Sequence, residues 1–238
     1  KTDAAAFRLV TDGVREIALD LATPTADSKG MTVASVTSAG QPVAFTHRDN
    51  QLRVPVPAGA RAGQEANYTI AYRGVPAGGL IFVNNIHGER TAFSENWHNL
   101  ARQWLPMIDH PADKATGEWI VTTRAEYQVV GNGALREERD ILGGARRTHW
   151  TQAEPISSWL YALGVARFAV RHAGVVRGVP MEYWVFPQDA EKGFALFERD
   201  ARNSFEFFTD RVGPYMYQKL AHVQAAGMGG GMEHATNI

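Results

Sequence analysis

The sequence predicts a mainly β protein that turns to α/β near its end, and three observations carry that prediction. Apolar and polar residues alternate in short runs as far as Phe186, turn-forming residues separate the runs, and beyond Pro187 the apolar spacing lengthens to three and four residues. Alternation by two sets one face of a strand on a core and the other in water, whereas steps of three and four lay one stripe along a helix.

Residues 14–21 (VREIALDL) alternate first, followed by 31–36, 51–56 (QLRVPV) and 68–72 (YTIAY). Ser38-Ala39-Gly40, Asp49-Asn50 and residues 57–63 and 76–79 supply the turns. Short strands at such regular spacing predict an antiparallel sandwich or curved sheet. A loop-rich middle, residues 84–116, carries Ile86-His87, Trp97-His98, Gln103-Trp104 and Asp109-His110-Pro111. Strands resume at 118–123 (EWIVTT), 126–130, 148–152, 159–165, 169–173 and 181–186, with Gly131-Asn132-Gly133 and Gly143-Gly144 read as hairpin turns. Phe194, Phe197, Ala201, Phe205, Phe208 and Val212 then form the stripe of one amphipathic helix, with Asp189 as its N-cap and Gly213-Pro214 as its stop. Residues 220–223 read as a further strand leading into a glycine-rich segment. The change of period places a domain boundary near residue 188, giving one domain over 1–188 and a second over 189–238.

With 238 residues, 45% of them apolar, the chain can bury a core as one large or two modest domains. A formal net charge of -1 argues against attachment to nucleic acid by bulk charge. No apolar run approaches the roughly 20 residues needed to span a bilayer. The absence of cysteine excludes disulfides and thiolate metal sites. A first residue of Lys1 and no visible signal peptide are expected of a processed product or a fragment.

The glycine-rich segment, residues 225–234, reads AAGMGGGMEH. Glycines let a backbone approach a ligand closely. The Glu233 carboxylate just beyond them can meet a cation such as the free α-amino group of a peptide. Taken by itself, a flexible loop with an incidental Glu is the simpler reading, because short motifs match by chance. Its context adds to it: a helix, then Arg211-Val212-Gly213-Pro214-Tyr215, then a strand, then Gly230-Gly231-Met232-Glu233-His234. This order resembles the start of the catalytic domain in the aminopeptidase N-type (gluzincin) zinc metallopeptidase family, whose G-A-M-E-N motif reads G-G-M-E-H here. Residues 102–116 (RQWLPMIDHPADKAT) resemble the family's R-x-x-x-P-x-x-D-x-P-x-x-K-A stretch, and residues 118–133 resemble its strand pair ending in V-x-N-G. The likeness runs from about Val14 to the end of the chain.

The resemblance implies a saddle-like antiparallel β-sandwich domain followed by the beginning of a thermolysin-like α/β domain. It also implies a parent aminopeptidase in which zinc polarises the carbonyl and activates water. Glu233 would anchor the substrate's α-amino group, Gly230 and Gly231 would hydrogen-bond its backbone, and Met232 would shape the wall beside the scissile bond. His234 replaces the family's Asn and is read as a variant, not a zinc ligand. The family draws a further Gln or Glu from five residues before its conserved Arg. That place is Trp97 here, so Glu95 would substitute from nearby and Trp97 would line the pocket for the first side chain. A solvated loop acid is the simpler reading of Glu95.

None of the eight histidines (His47, His87, His98, His110, His149, His172, His222, His234) falls in an H-E-x-x-H pattern, which sets two imidazoles on one helix face. The resemblance places the zinc motif a short way beyond Ile238. The expectation is therefore zinc in the parent enzyme, no metal ligand or catalytic residue in this chain, and no hydrolysis by this chain alone. The partners implied are a peptide substrate and the remainder of the catalytic domain, and similar bacterial peptidases imply a periplasmic or exported location. Asp109-His110-Pro111 reads as a local turn rather than an acid–base pair, and the glycines lack the Lys-Ser/Thr of a P-loop. Three alternatives stand beside this reading. A non-catalytic aminopeptidase-like scaffold is separated by whether H-E-x-x-H follows. A β-sandwich module for carbohydrate or protein leaves the helix–strand–GGMEH ending unexplained. No residue favours the epoxide hydrolase activity of the family's leukotriene-processing branch.

Overall fold

A computed structural model of the chain describes residues 2–234 and 236. With 48% strand and 14% helix the protein is mainly β. The chain forms two compact units, residues 1–80 with 96–113 and residues 81–95 with 114–238.

The first unit holds β1 (Thr2–Arg8), β2 (Glu16–Asp20), β3 (Gly30–Ser38), β4 (Gln41–Pro42), β5 (Thr46–Arg48), β6 (Gln51–Pro55) and β7 (Glu65–Val75). They build two antiparallel sheets, ordered β1-β7-β3-β4 and β2-β6-β5. The period-two reading holds: Ala66, Tyr68, Ile70 and Tyr72 on β7 are buried at every second position, as are Leu52 and Val54 on β6. The Tyr68 hydroxyl donates to the Pro55 carbonyl at 2.8 Å, giving the buried ring's polar tip a partner.

The R-x-x-x-P-x-x-D stretch is structural in this unit. The Arg102 backbone N–H and Nε both donate to Asp109 Oδ2 at 3.1 Å, and Arg102 Nη2 donates to the Asp109 carbonyl at 3.0 Å. The Asp109 backbone N–H donates in turn to Asp20 Oδ2 at 3.1 Å. Trp104, fully buried, donates its indole N–H to Asn96 Oδ1 at 2.9 Å. Asp109 thus serves the local backbone, and His110 Nδ1 accepts the Ala112 N–H at 3.2 Å.

The second unit takes most of β8 (Gly79–Asn84) and all of β9 (Arg90–Glu95), β10 (Ala115–Arg124), β11 (Gln128–Gly131), β12 (Ala134–Ile141), β13 (Ala145–Ile156), β14 (Leu163–Ala166), β15 (Ala169–Val176), β16 (Val179–Val185), α1 (Ala190–Val212) and β17 (Leu220–Val223). Its sheets run β10-β13-β12, β11-β14-β9-β8 and β15-β16-β17. The Gly143-Gly144 turn closes the β12–β13 hairpin. Gly131-Asn132-Gly133 does not make a hairpin, because β11 pairs with β14 while β12 pairs with β13, so the chain changes sheets there. Buried Asn132 holds that crossing: its Oδ1 accepts the Ala162 N–H at 2.6 Å and its Nδ2 donates to the Leu160 carbonyl at 2.9 Å. Gly133 lies at φ +77°, and a Cβ on it would stand 1.8 Å from the Thr151 carbonyl oxygen.

β16 and β17 pair in parallel, and α1 makes the crossover that such a pair requires. Phe194, Ala201 and Phe205 of α1 are buried with Met181, Tyr183, Val185 and Leu220. The far end of the helical stripe stays open, with Phe208 60% and Val212 82% exposed. Asp189 occupies the N-cap position without capping through its side chain. Its carboxylate instead accepts His87 Nε2 at 2.9 Å and Gln224 Nε2 at 2.8 Å, and these two hydrogen bonds hold it below the usual carboxylate range. The Gly213 N–H donates to the Thr209 carbonyl at 3.2 Å, ending the helix where Gly-Pro was expected to stop it.

Candidate functional site

The site grows from the carboxyl end of β17, the place where open α/β sheets commonly present ligand-binding loops. Gln224 fastens that end: its backbone N–H donates to the Trp184 carbonyl at 2.8 Å and its Oε1 accepts the Phe186 N–H at 2.8 Å. The glycine-rich segment then runs back over β8 and β9. Gly227, at φ +81°, allows this approach, since a Cβ there would meet Val83 Cγ2 at 2.9 Å and Ile81 Cγ2 at 3.1 Å.

Gly230, Gly231, Met232 and His234 line a cavity of about 150 Å³ together with Phe93, Ser94, Val130, Leu163, Val223 and Met228. Its walls are mostly apolar. Ser94 is committed to the sheets: its hydroxyl donates to the Tyr161 carbonyl at 3.3 Å and accepts the Leu163 N–H at 2.8 Å. His234 is different, because its buried Nε2 has no hydrogen-bond partner among the described residues. Burial pulls the His234 pKa down to about 4, against the opposing pull of the Met232 backbone and the Glu233 carboxylate. Near neutral pH the ring is uncharged and carries one donor and one acceptor nitrogen.

Of the residues singled out from the sequence, Gly230, Gly231 and Met232 meet at one cavity. Glu233 is exposed and follows Met232 directly. Glu95 ends β9, one residue past the cavity-lining Ser94, and is half-buried. Trp97 belongs to the other compact unit, is 53% exposed, and sets its ring edge-on to His98 with centroids 5.5 Å apart. The cavity walls Phe93, Val130 and Leu163 were not singled out, because nothing separates them in sequence from any other strand residue facing a core. Among the described residues no three His, Cys, Asp or Glu gather closely enough to hold a metal ion, so they do not fit a zinc site.

The peptidase M1 N-terminal domain model matches residues 5–160. The chain belongs to that family. Its membership of the M1 peptidases agrees with the likeness read from residues 102–116. Glutamyl aminopeptidase of Bos taurus is 28% identical over 137 residues, 56% of this chain and 14% of its own length. The "Probable aminopeptidase 2" of Sulfurisphaera tokodaii is 26% identical over 148 residues, 60% of this chain and 18% of its own length. This M1 chain therefore spans under a fifth of the curated relatives it matches. A crystal structure of an M1 zinc metallopeptidase from Deinococcus radiodurans superposes with a TM-score of 0.76 at 21% identity, covering 93% of this chain and 51% of the other. A mutant of the Deinococcus radiodurans peptidase bound to Tyr-Ser-Ala substrate superposes at 0.75 with 22% identity and the same coverage. At these identities the superpositions speak for the shared fold.

Proposed function

We propose that this chain carries the substrate-gripping part of an M1 zinc aminopeptidase, which removes N-terminal residues from peptides. The observation that carries the reading is the meeting of Gly230, Gly231 and Met232 at one small apolar cavity, with the Glu233 carboxylate exposed beside them. Glu233 anchors the free α-amino group by a charge-assisted contact. The backbone groups of Gly230 and Gly231 bond the substrate main chain, and Met232 forms the wall beside the scissile bond. Glu95 adds a second carboxylate. The cavity is smaller than the roughly 300–1,000 Å³ of drug-sized pockets, which suits one side chain. Zinc and general-base chemistry come from the remainder of a catalytic domain that begins near residue 189, and the chain by itself does not hydrolyse peptides.

The test is calorimetric titration of the chain with Tyr-Ser-Ala and with its N-acetylated form. Binding of the free amine only, lost in Glu233→Gln, supports the reading. Equal binding of both peptides, or none, overturns it. Robust metal-dependent turnover of aminoacyl chromogenic substrates by this chain would contradict the division of labour.

A further inference from the structure

Lys219 is 3% exposed, at the residue that leads into β17. A lysine is rarely buried so completely without partners. Its Nζ donates to the Gly131 carbonyl at 2.7 Å and to Thr236 Oγ1 at 3.2 Å, and it lies 4.6 Å from the centroid of the Trp150 ring. Trp150 is itself fixed by its indole N–H, which donates to the Val129 carbonyl at 2.9 Å.

Each partner bears on the cavity. Gly131 directly follows the cavity-wall residue Val130 on β11. Thr236 lies just past the cavity-lining His234, where the glycine-rich segment returns to the sheet. The Thr236 Oγ1 also accepts the Gly133 N–H at 2.8 Å, and its carbonyl accepts the Ala221 N–H at 2.9 Å. The two ends of the segment, β17 and Thr236, are thus drawn together at its base, and the one Lys219 Nζ reaches both the segment's return and the opposite wall. Loops closed at the base in this way hold their own shape. A buried donor left without its acceptor costs free energy, so loss of either acceptor is felt at the Lys219 Nζ.

We infer that Lys219 is a positioning residue: through Thr236 and Gly131 it fixes where residues 230–233 stand against the cavity wall. Its bearing on substrate rests on the peptide-gripping reading above, whereas the clamp itself does not.

Hydrogen exchange on the full chain tests the clamp in Lys219→Met, Thr236→Val and Thr236→Ser. Lys219→Met and Thr236→Val are expected to raise exchange of the amides of residues 225–234 about tenfold while those of β10 and β13 stay at the wild-type level. Thr236→Ser keeps the hydroxyl acceptor and is expected to restore protection. Unchanged exchange in both disruptive variants, a rise spread evenly over the unit, or a Thr236→Ser that behaves like Thr236→Val each overturns the inference. Titration of the same variants with Tyr-Ser-Ala keeps the two readings apart. Wild-type chain that does not bind the peptide yet shows the local exchange pattern sinks the gripping role and upholds the clamp.

Discussion

Asp109 Oδ2 accepts two hydrogen bonds from one residue, the backbone N–H and the Nε of Arg102, each at 3.1 Å. The carboxylate is fully buried, whereas the Arg102 side chain keeps 32% of its surface in water. Removing the acceptor strands two donors, and only the guanidinium can turn to solvent. Asp109→Ala is therefore expected to destabilise the first unit by about 2–4 kcal/mol, and Asp109→Asn, which keeps an acceptor oxygen, by roughly half as much. Urea unfolding followed by Trp fluorescence measures this, since Trp104 is buried in the same unit.

Two glycine substitutions separate architecture from binding. In Gly133→Ala the new methyl meets the Thr151 carbonyl in a left-handed backbone, so a loss of about 3 kcal/mol is expected. A Cβ at Gly231 meets nothing within 4 Å. Gly231→Ala should leave stability within about 0.5 kcal/mol of wild type while weakening peptide binding. A Gly231→Ala protein that binds Tyr-Ser-Ala at full affinity would remove Gly231 from the gripping role.

Lys219 sets an alkaline signature. Burial lowers its pKa from 10.5 to about 7, with Glu182 pulling the other way. Between these values the unfolded chain binds more protons than the folded one, so stability rises with pH across that window. The contribution of this group approaches about 1.4 kcal/mol per pH unit at its steepest and is flat below pH 7. Chemical denaturation at pH 7 and pH 9 is expected to show the rise in wild type and its loss in Lys219→Met.

His234 shapes the acidic side. Its pKa falls from 6.5 to about 4 on folding, so the unfolded chain again holds more protons in between, and stability climbs from pH 4 to pH 6.5. His234→Asn should flatten that part of the profile. An unaltered profile would mean that the ring reaches solvent readily enough to titrate normally.

The strands that alternated by two were legible, and so was α1, because each buries one face against a core. β12 escaped notice: its charged run Arg136-Glu137-Glu138-Arg139-Asp140 has no apolar face, and it is held by the β13 ladder and ion pairs such as Arg146 to Asp140 at 2.8 Å. β1 was hidden by its three successive alanines, and β9 by lying inside a stretch read as loop. The Gly131–Gly133 turn was misread because a hairpin and a change of sheet need the same backbone freedom, and only pairing partners separate them. In the site, the glycines and Glu233 stood out by residue type. Lys219 and Thr236 did not, since a lysine seventeen residues before a threonine carries no sequence signal, and their meeting depends on the helix between β16 and β17.

That crossover also sets what the glycine-rich segment depends on. Parallel strands cannot be joined by a tight turn, and β16 and β17 pair across the 23-residue helix between them. Residues 225–234 are thus tied at both ends to one strand pair, β17 before them and Ala221 through the Thr236 carbonyl after them, so whatever loosens the β16–β17 pairing releases the whole segment.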